Sequence, residues 1–350
     1  MSEVIAFEPG SDIRSLSLQR SANLIYNEVV LNFPSRIHCS PIDCNRFNFG
    51  KPGGGGIGFA IDLPNQITIA RSNRNSIKCN DMARGPIVEH YVKVIKALLS
   101  SDECFKIDLK ISELMHQHFG LGSSVSIACG VVFGLNKLFD TPFTITDMRR
   151  IIADNFVEEF KGKVSRGLET GVGTSVVLKG GISVIANEIV EILNQSFPEN
   201  YSVFLIDPHT TRPNADEPES QDMLARTFFL DNSYRYTKAY DILMDIVPAL
   251  EVKDMRRFGE YIWNIQFSGT HLSMIQSYEQ FGKKIYDVLF FLRHIGTDVC
   301  GLSSVGPAIY AICTRGKASK FKQDITNYDS TLTYWEVEPN NSGIKIVSLK

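Results

Sequence analysis

At 350 residues the chain exceeds the size at which one hydrophobic core stops growing, which implies two lobes sharing a cleft and favours an enzyme over a small binding module. Hydrophobic residues at 43% and charged ones at 21% exclude global disorder, and a formal net charge of −3 with scattered Lys and Arg supplies no drive toward nucleic acid or anionic membrane. Seven cysteines without zinc-finger spacing, an odd count partly inside apolar runs, read as reduced buried thiols of a cytoplasmic protein, and no stretch approaches the ~20 apolar residues that span a bilayer.

In chain order, residues 1–20 read as an ordered arm or a frayed start. Strand patterns follow at 24–33 and 36–44, then a glycine-rich stretch at 50–58 and further strands at 58–63 and 66–70. Ile87, Tyr91, Val94, Ile95 and Leu98 recur at helical spacing within 86–99, and 105–111 alternates like a strand. A loop at 116–124 then opens an apolar helix at 125–139. The segment 147–160 reads as a helix capped by Thr144 or Thr146, and the glycine-punctuated, β-branched run 171–186 as a hairpin. A strand at 201–206 runs into Asp207-Pro208-His209, and the stretch to Gln221 reads as a loop at the domain boundary. Residues 1–200 are assigned to an N-terminal domain and 201–350 to a C-terminal one. The second half carries helical patterns at 239–250, 255–266 and 278–295, and 300–313 reads as a loop flanked by a strand or helix start.

The chemistry centres on Gly120-Leu-Gly122-Ser123-Ser124, placed between a strand and a buried helix. Glycines let the backbone turn its N–H groups inward, and the helix start adds unpaired donors and the positive end of its dipole, an arrangement that binds anions. A glycine turn with serine caps and no ligand has the same local sequence. The pattern is neither Gly-x-x-x-x-Gly-Lys-Ser/Thr nor Gly-x-Gly-x-x-Gly, since Val125 stands where the third glycine of the latter belongs, so a classical P-loop and a dinucleotide cofactor are both disfavoured.

The pentapeptide ahead of an apolar helix resembles the phosphate loop of the GHMP kinase superfamily, and Gly301-Leu-Ser303-Ser304-Val-Gly306-Pro307 resembles its C-terminal glycine-rich motif. Arg36-Ile-His38 with Ile42-Asp43, the run Gly53-Gly54-Gly55-Gly56-Ile-Gly58, Arg166-Gly167 and Gly171-Val-Gly173 look like the β-ribofuranosylaminobenzene-5'-phosphate synthase branch. The similarity spans residues 22–315. It implies an α+β, GHMP-kinase-like two-lobe fold, with a ribosomal protein S5 domain 2-like N-terminal lobe and a ferredoxin-like C-terminal lobe. It further implies a decarboxylating phosphoribosyltransferase that makes a C-riboside from phosphoribosyl diphosphate and an aromatic or heteroaromatic carboxylate of the 4-aminobenzoate or 4-hydroxybenzoate type. Mg²⁺ is the expected cofactor, no organic cofactor is expected, and a homodimer is the expected assembly. The aspartate that superfamily kinases carry in the segment matching 169–175 is missing, which counts against phosphoryl transfer. An ATP-dependent small-molecule kinase and a non-catalytic phospho-metabolite-binding protein remain the alternatives.

On this reading Gly120, Gly122, Ser123, Ser124, Ser303, Ser304 and Gly306 bind phosphate, while Arg36, His38 and Arg166 are the candidate anchors for the acceptor carboxylate. Arg36 at a strand end equally suits a surface ion pair, and His38 a satisfied half-buried imidazole. Asp43 is the candidate metal or ribose ligand, or else a turn cap before Asn45, and Glu169 acts on a metal or a proton or is a solvated hairpin carboxylate. The glycines Gly54, Gly55 and Gly56 are expected to let a substrate approach the backbone, and His209 to face the cleft. His90, His116, His271 and His294 are read as structural.

Overall fold

The structure, a computed structural model, describes residues 5–47, 51–116, 118–210, 219–276 and 279–350. An arm carrying β1 (Ala6–Phe7) leads into two long strands, β2 (Glu28–Pro41) and β3 (Gly56–Ser72), followed by β4 (Ser76–Cys79), α1 (Gly85–Leu98) and β5 (Cys104–Lys110). Next come α2 (Ser123–Leu138), α3 (Ile145–Asp154), the hairpin β6 (Val157–Phe160) and β7 (Lys163–Arg166), α4 (Val172–Lys179), and the pair β8 (Ile182–Ile185) and β9 (Glu191–Gln195). The second half comprises β10 (Tyr201–Asp207), α5 (Glu219–Asp241), α6 (Val247–Glu251), α7 (Met255–Gln266), α8 (Gly269–Gln276), α9 (Glu279–His294), β11 (Val299–Leu302), β12 (Ile309–Thr314), α10 (Ala318–Tyr328), β13 (Thr333–Val337) and β14 (Lys345–Leu349).

The burial pattern of β2 and β3 changes along their length, and that change positions the site. From Glu28 to Phe33 of β2 only Val29, Leu31 and Phe33 are buried, in strict alternation, as on a sheet with one solvated face. From Ser35 to Cys39 both faces are covered except at Arg36, as is Gly56 to Ile61 of β3. Ile37, Cys39, Ile57, Phe59 and Ile61 there pack onto Val203, Leu205, Tyr310 and Ile312 of the second sheet, so these two strands belong to both lobes. At its far edge β3 changes partner, taking β5 along Gln66–Ser72 and β8 along Gly56–Phe59. The second sheet is antiparallel with strand order β11-β12-β10-β13, the ferredoxin-like arrangement. Its other face, through Phe204, Ile206, Ile309 and Ala311, is covered by α9 and α10.

Three expectations change. The two strands foreseen around Pro34 are one, because a register shift between Phe33 and Ser35 lets the ladder pass a residue with no N–H to give. The hairpin foreseen at 171–186 is instead α4 followed by β8. Gly171 and Gly180 sit at the helix ends with positive φ, and burial of Val172, Val176 and Val177 overrides their β preference. The helix foreseen at 147–160 stops at Asp154 and gives way to β6. Of the expected boundary loop, residues 211–218 lie outside the described residues, and α5 already begins at Glu219. The chain also returns to the first lobe, where β14 pairs with β2, so a division at 200/201 leaves the last strand on the wrong side.

The arm is ordered through β1, which pairs with β7. All seven cysteines are free thiols and only Cys104 is not buried. Among the described residues no helix is long and apolar enough to cross a membrane.

Gly259 offers a test of how closely α7 meets β11. Alanine in a helix gains roughly 0.5–1 kcal/mol over glycine, yet a Cβ here would fall 1.8 Å from the Asp298 carbonyl oxygen, a backbone atom fixed beside β11. Clash decides the sign. Gly259→Ala is expected to lower the urea midpoint at constant m, by roughly 1–3 kcal/mol of stability, and a raised midpoint would refute the close packing.

Candidate active site

Gly120 (φ +97°) and Gly122 (φ +66°) turn the chain into α2 through left-handed conformations that favour glycine. The loop's carbonyls are consumed. Gly120 O accepts from Arg36 Nη1 at 3.0 Å and Ser303 Oγ at 2.8 Å, and Leu121 O accepts from Ser35 Oγ at 2.6 Å. Its amides are not: for the N–H groups of residues 120–125 there is no protein acceptor among the described residues, and no side chain caps α2. These residues line a cavity between the lobes. The neighbouring helix α4, which opens on the same cavity, is capped from within. There Glu169 Oε1 accepts from Gly171 N at 2.7 Å and Thr170 Oγ1 from Val172 N at 3.3 Å. The contrast singles out the start of α2 as a set of donors that the described protein groups leave unpaired, at the positive end of a 16-residue helix.

Arg36 lies beneath the loop. A Cβ on Gly122 would fall 2.5 Å from its Nε, so only glycine leaves room for the guanidinium there. Two residues along the same face of β2, His38 has its Nε2 3.1 Å from Thr170 Oγ1 and its Nδ1 buried without a partner. Burial, with the Arg36 charge and then His271 adding to it, holds the His38 pKa well below the ordinary 6.5, so the imidazole is neutral. Glu169 is in the cavity wall with its pKa raised by burial, an effect opposed by the Gly171 N–H and by the charges of Arg36 and Arg149.

Of the residues foreseen as phosphate ligands, Gly120, Gly122, Ser123, Ser124 and Ser304 line the cavity. Ser303 does not. Fully buried, it donates to Gly120 O and accepts from His38 N at 3.2 Å, and with the Ser304 N–H on His38 O it zips the C-terminal turn between the loop and β2. Gly306 stands behind that turn, its N–H given to Ser303 O.

Arg166 is also elsewhere. Its guanidinium spans Asp12 Oδ2 (3.0 Å), Asp12 O (2.9 Å) and Asp154 O (3.3 Å), tying the N-terminal arm down. Asp43 caps Asn45 N at 3.0 Å and pairs with Arg46 at 3.7 Å, outside the cavity. Gly54 and Gly55 serve packing, since Cβ atoms there would collide with the Phe47 ring and with Ile185 O. Gly56 makes room for Val172 and the His38 ring. His209 is half-exposed, on Thr333 Oγ1 at 2.8 Å, and does not line the cavity.

The cavity gains residues that sequence reasoning passed over: Arg84, His118, Glu158, Thr170 and Thr270, and also His116, read above as structural. Arg84 and Glu158 sit in ordinary helix-start and hairpin sequence, and only tertiary contact between α1, the 112–116 turn and β6 brings them together. Among the described residues no three His, Cys, Asp or Glu side chains gather as a metal site. Asp43 thus lacks partners for a metal, whereas Glu158 and Glu169 are the two carboxylates of the cavity wall.

The model of the GHMP kinases N terminal domain matches residues 89–169. The beta-ribofuranosylphenol 5'-phosphate synthase of Methanothermobacter thermautotrophicus is 24% identical over 314 residues, covering 81% of this chain and 88% of that one. Its Archaeoglobus fulgidus namesake is 23% identical over 316 residues, covering 85% and 91%. Among solved structures, homoserine kinase from Cytophaga hutchinsonii superposes with a TM-score of 0.64 at 15% identity, over 94% of this chain and 100% of that one. Mevalonate-3-kinase from Thermoplasma acidophilum gives 0.65 at 11%, over 93% and 100%. The fold is therefore the GHMP-kinase-like two-lobe α+β fold.

Three buried histidines make the protein acid-sensitive. Burial pushes His90 and His271 down to about 4 and holds His38 well below 6.5. Below pH 6.5 the unfolded chain therefore binds protons that the native one refuses. Stability falls as pH drops from about 6.5 toward 4, by up to about 1.4 kcal/mol per pH unit for each histidine, with Glu169 opposing because its pKa is raised. A denaturation midpoint that stays flat from pH 7 to pH 5 would contradict this.

Proposed function

We propose that the chain, similar over most of its length to beta-ribofuranosylphenol 5'-phosphate synthases and built on the GHMP-kinase-like fold, is a decarboxylating phosphoribosyltransferase. It joins C1 of phosphoribosyl diphosphate to the carboxylate-bearing ring carbon of a para-substituted benzoate. The observation that carries this reading is the uncapped amide array of residues 120–125 with Arg36 against it, open to the cavity.

Ionisation at C1 breaks the bond to the diphosphate oxygen and sends the electron pair onto the leaving group. The α2 amides, the Ser123 and Ser124 hydroxyls and Arg36 line the cavity and would stabilise the negative charge that grows there. The ring carbon then bonds to C1, the ring-to-carboxylate bond breaks, and its electron pair restores aromaticity as carbon dioxide departs. His38, neutral by burial, offers hydrogen bonding without a counter-charge that would hold the carboxylate back. Mg²⁺ usually takes one or two carboxylates and completes its shell with phosphate oxygens. Glu158 and Glu169 fit that demand and would hold it, the ion neutralising diphosphate charge when bound.

The kinase alternative has less support. The segment where a kinase aspartate would stand offers only Glu169, whose Oε1 is tied to Gly171 N.

The test is an assay with phosphoribosyl diphosphate, 4-hydroxybenzoate and Mg²⁺. Stoichiometric diphosphate and carbon dioxide are expected, and Arg36→Ala should lower kcat/KM roughly 10–100-fold, as for loss of charged hydrogen bonds of about 1.5–3 kcal/mol. Formation of ADP from ATP without any diphosphate release would replace this reading with the kinase one.

A further inference from the structure

A second polar constellation lies on the C-terminal-lobe side of the same cavity and has no part in holding phosphate. Asp231 and Lys238 stand two turns apart on one face of α5, both buried, and form an ion pair at 2.5 Å. Asp231 also accepts from Thr270 Oγ1 at 2.7 Å and from the Cys44 N–H at 2.6 Å. Removing a buried ion pair in favour of packed apolar groups is often neutral or stabilising, so its presence calls for a use other than stability.

The use is legible in Thr270. It is 96% buried by its 4% exposure, and it lines the cavity. Its hydroxyl proton is committed to Asp231. The Cys44 thiol, 3.0 Å away and pushed up to about 12 chiefly by burial and then by Asp231, stays protonated and donates into the same oxygen. The Thr270 oxygen, on a residue that lines the cavity, is thereby left as a polarised acceptor with one lone pair that no donor among the described residues fills. Phe47, on the same turn as Cys44, and Val305 add apolar wall beside it.

We propose that Thr270, held by Asp231 and Lys238, determines acceptor specificity by accepting a hydrogen bond from the para hydroxyl or amino group of the aromatic carboxylate. This rests on the phosphoribosyltransferase reading and deepens it. Attack by the ring carbon on C1 leaves positive charge on the ring, which a para oxygen or nitrogen relieves by releasing electron density. A hydrogen bond from that group to Thr270 strengthens the release, and the proton stays on the substrate. A para methoxy group has the oxygen and lacks the proton, so it leaves the Thr270 acceptor unpaired.

The experiment compares kcat/KM for 4-hydroxybenzoate and 4-methoxybenzoate in the wild-type enzyme, Thr270→Val and Thr270→Ser, with melting temperatures and the KM for phosphoribosyl diphosphate alongside. Wild type is expected to prefer the hydroxy acid. Thr270→Val should lose roughly 10–100-fold on it, the range for an orphaned hydrogen-bond group, while its value for the methoxy acid and its donor KM hold. Thr270→Ser should keep the wild-type preference. Equal losses on both acceptors, or no loss on either, would overturn the assignment and leave the transferase reading standing. A wild-type enzyme that makes no riboside from any aromatic carboxylate would remove both. If Thr270→Val does not fold, a hydroxy-to-methoxy ratio in Asp231→Asn equal to that of wild type overturns the assignment, and a fallen ratio supports it.

Discussion

The cleft depends on one constraint, the burial of residues 35–41 of β2 on both faces, with Arg36 alone half-buried. A strand sends alternate side chains to opposite sides, so once Ile37 and Cys39 are locked into the core between the lobes, Arg36 and His38 have to face the cavity. A slip of one residue would exchange the two sets and put a guanidinium into an apolar core. The long ladder between β2 and β3, running from Glu28 to Pro41 on one side and Gly56 to Ala70 on the other, fixes that register.

Around this strand the molecule treats its two helix starts in opposite ways. At α4 the first N–H groups are satisfied by Glu169 and Thr170. At α2 the carbonyls are pinned by Arg36, Ser35 and Ser303 while the amides are left to whatever enters. Pinning carbonyls holds amide direction, because each peptide plane is rigid. The direction of the amides is in this sense built from the bonds made behind them, and Ser303 acts as a brace between the loop and β2.

How much of this was legible in the sequence follows from the range of each interaction. The glycine loop, its helix, and the Arg36–His38 pair were readable because they depend on local backbone chemistry and on a two-residue period. Helix limits at 86–99, 125–139 and 255–266 were read to within two residues, since apolar spacing sets them. Arg166 was misjudged because its partners, Asp12 and Asp154, are fixed by where the N-terminal arm lies, which no spacing reveals. Glycines 54 to 56 looked like a ligand approach, and the close neighbours turned out to be the protein's own Phe47 ring, 185–186 backbone and His38 and Val172 side chains. Arg84, Glu158 and Thr270 reach the cavity from three distant segments, so no local signal could announce them.

The pairing of β14 with β2 ties the two lobes together through the chain. β14 covers the outer edge of β2 along Val29–Asn32, although the whole second sheet lies between the two strands in sequence. Contacts of such long range cost loop-closure entropy before they stabilise anything, so the edge of the first sheet depends on chain that lies beyond the second.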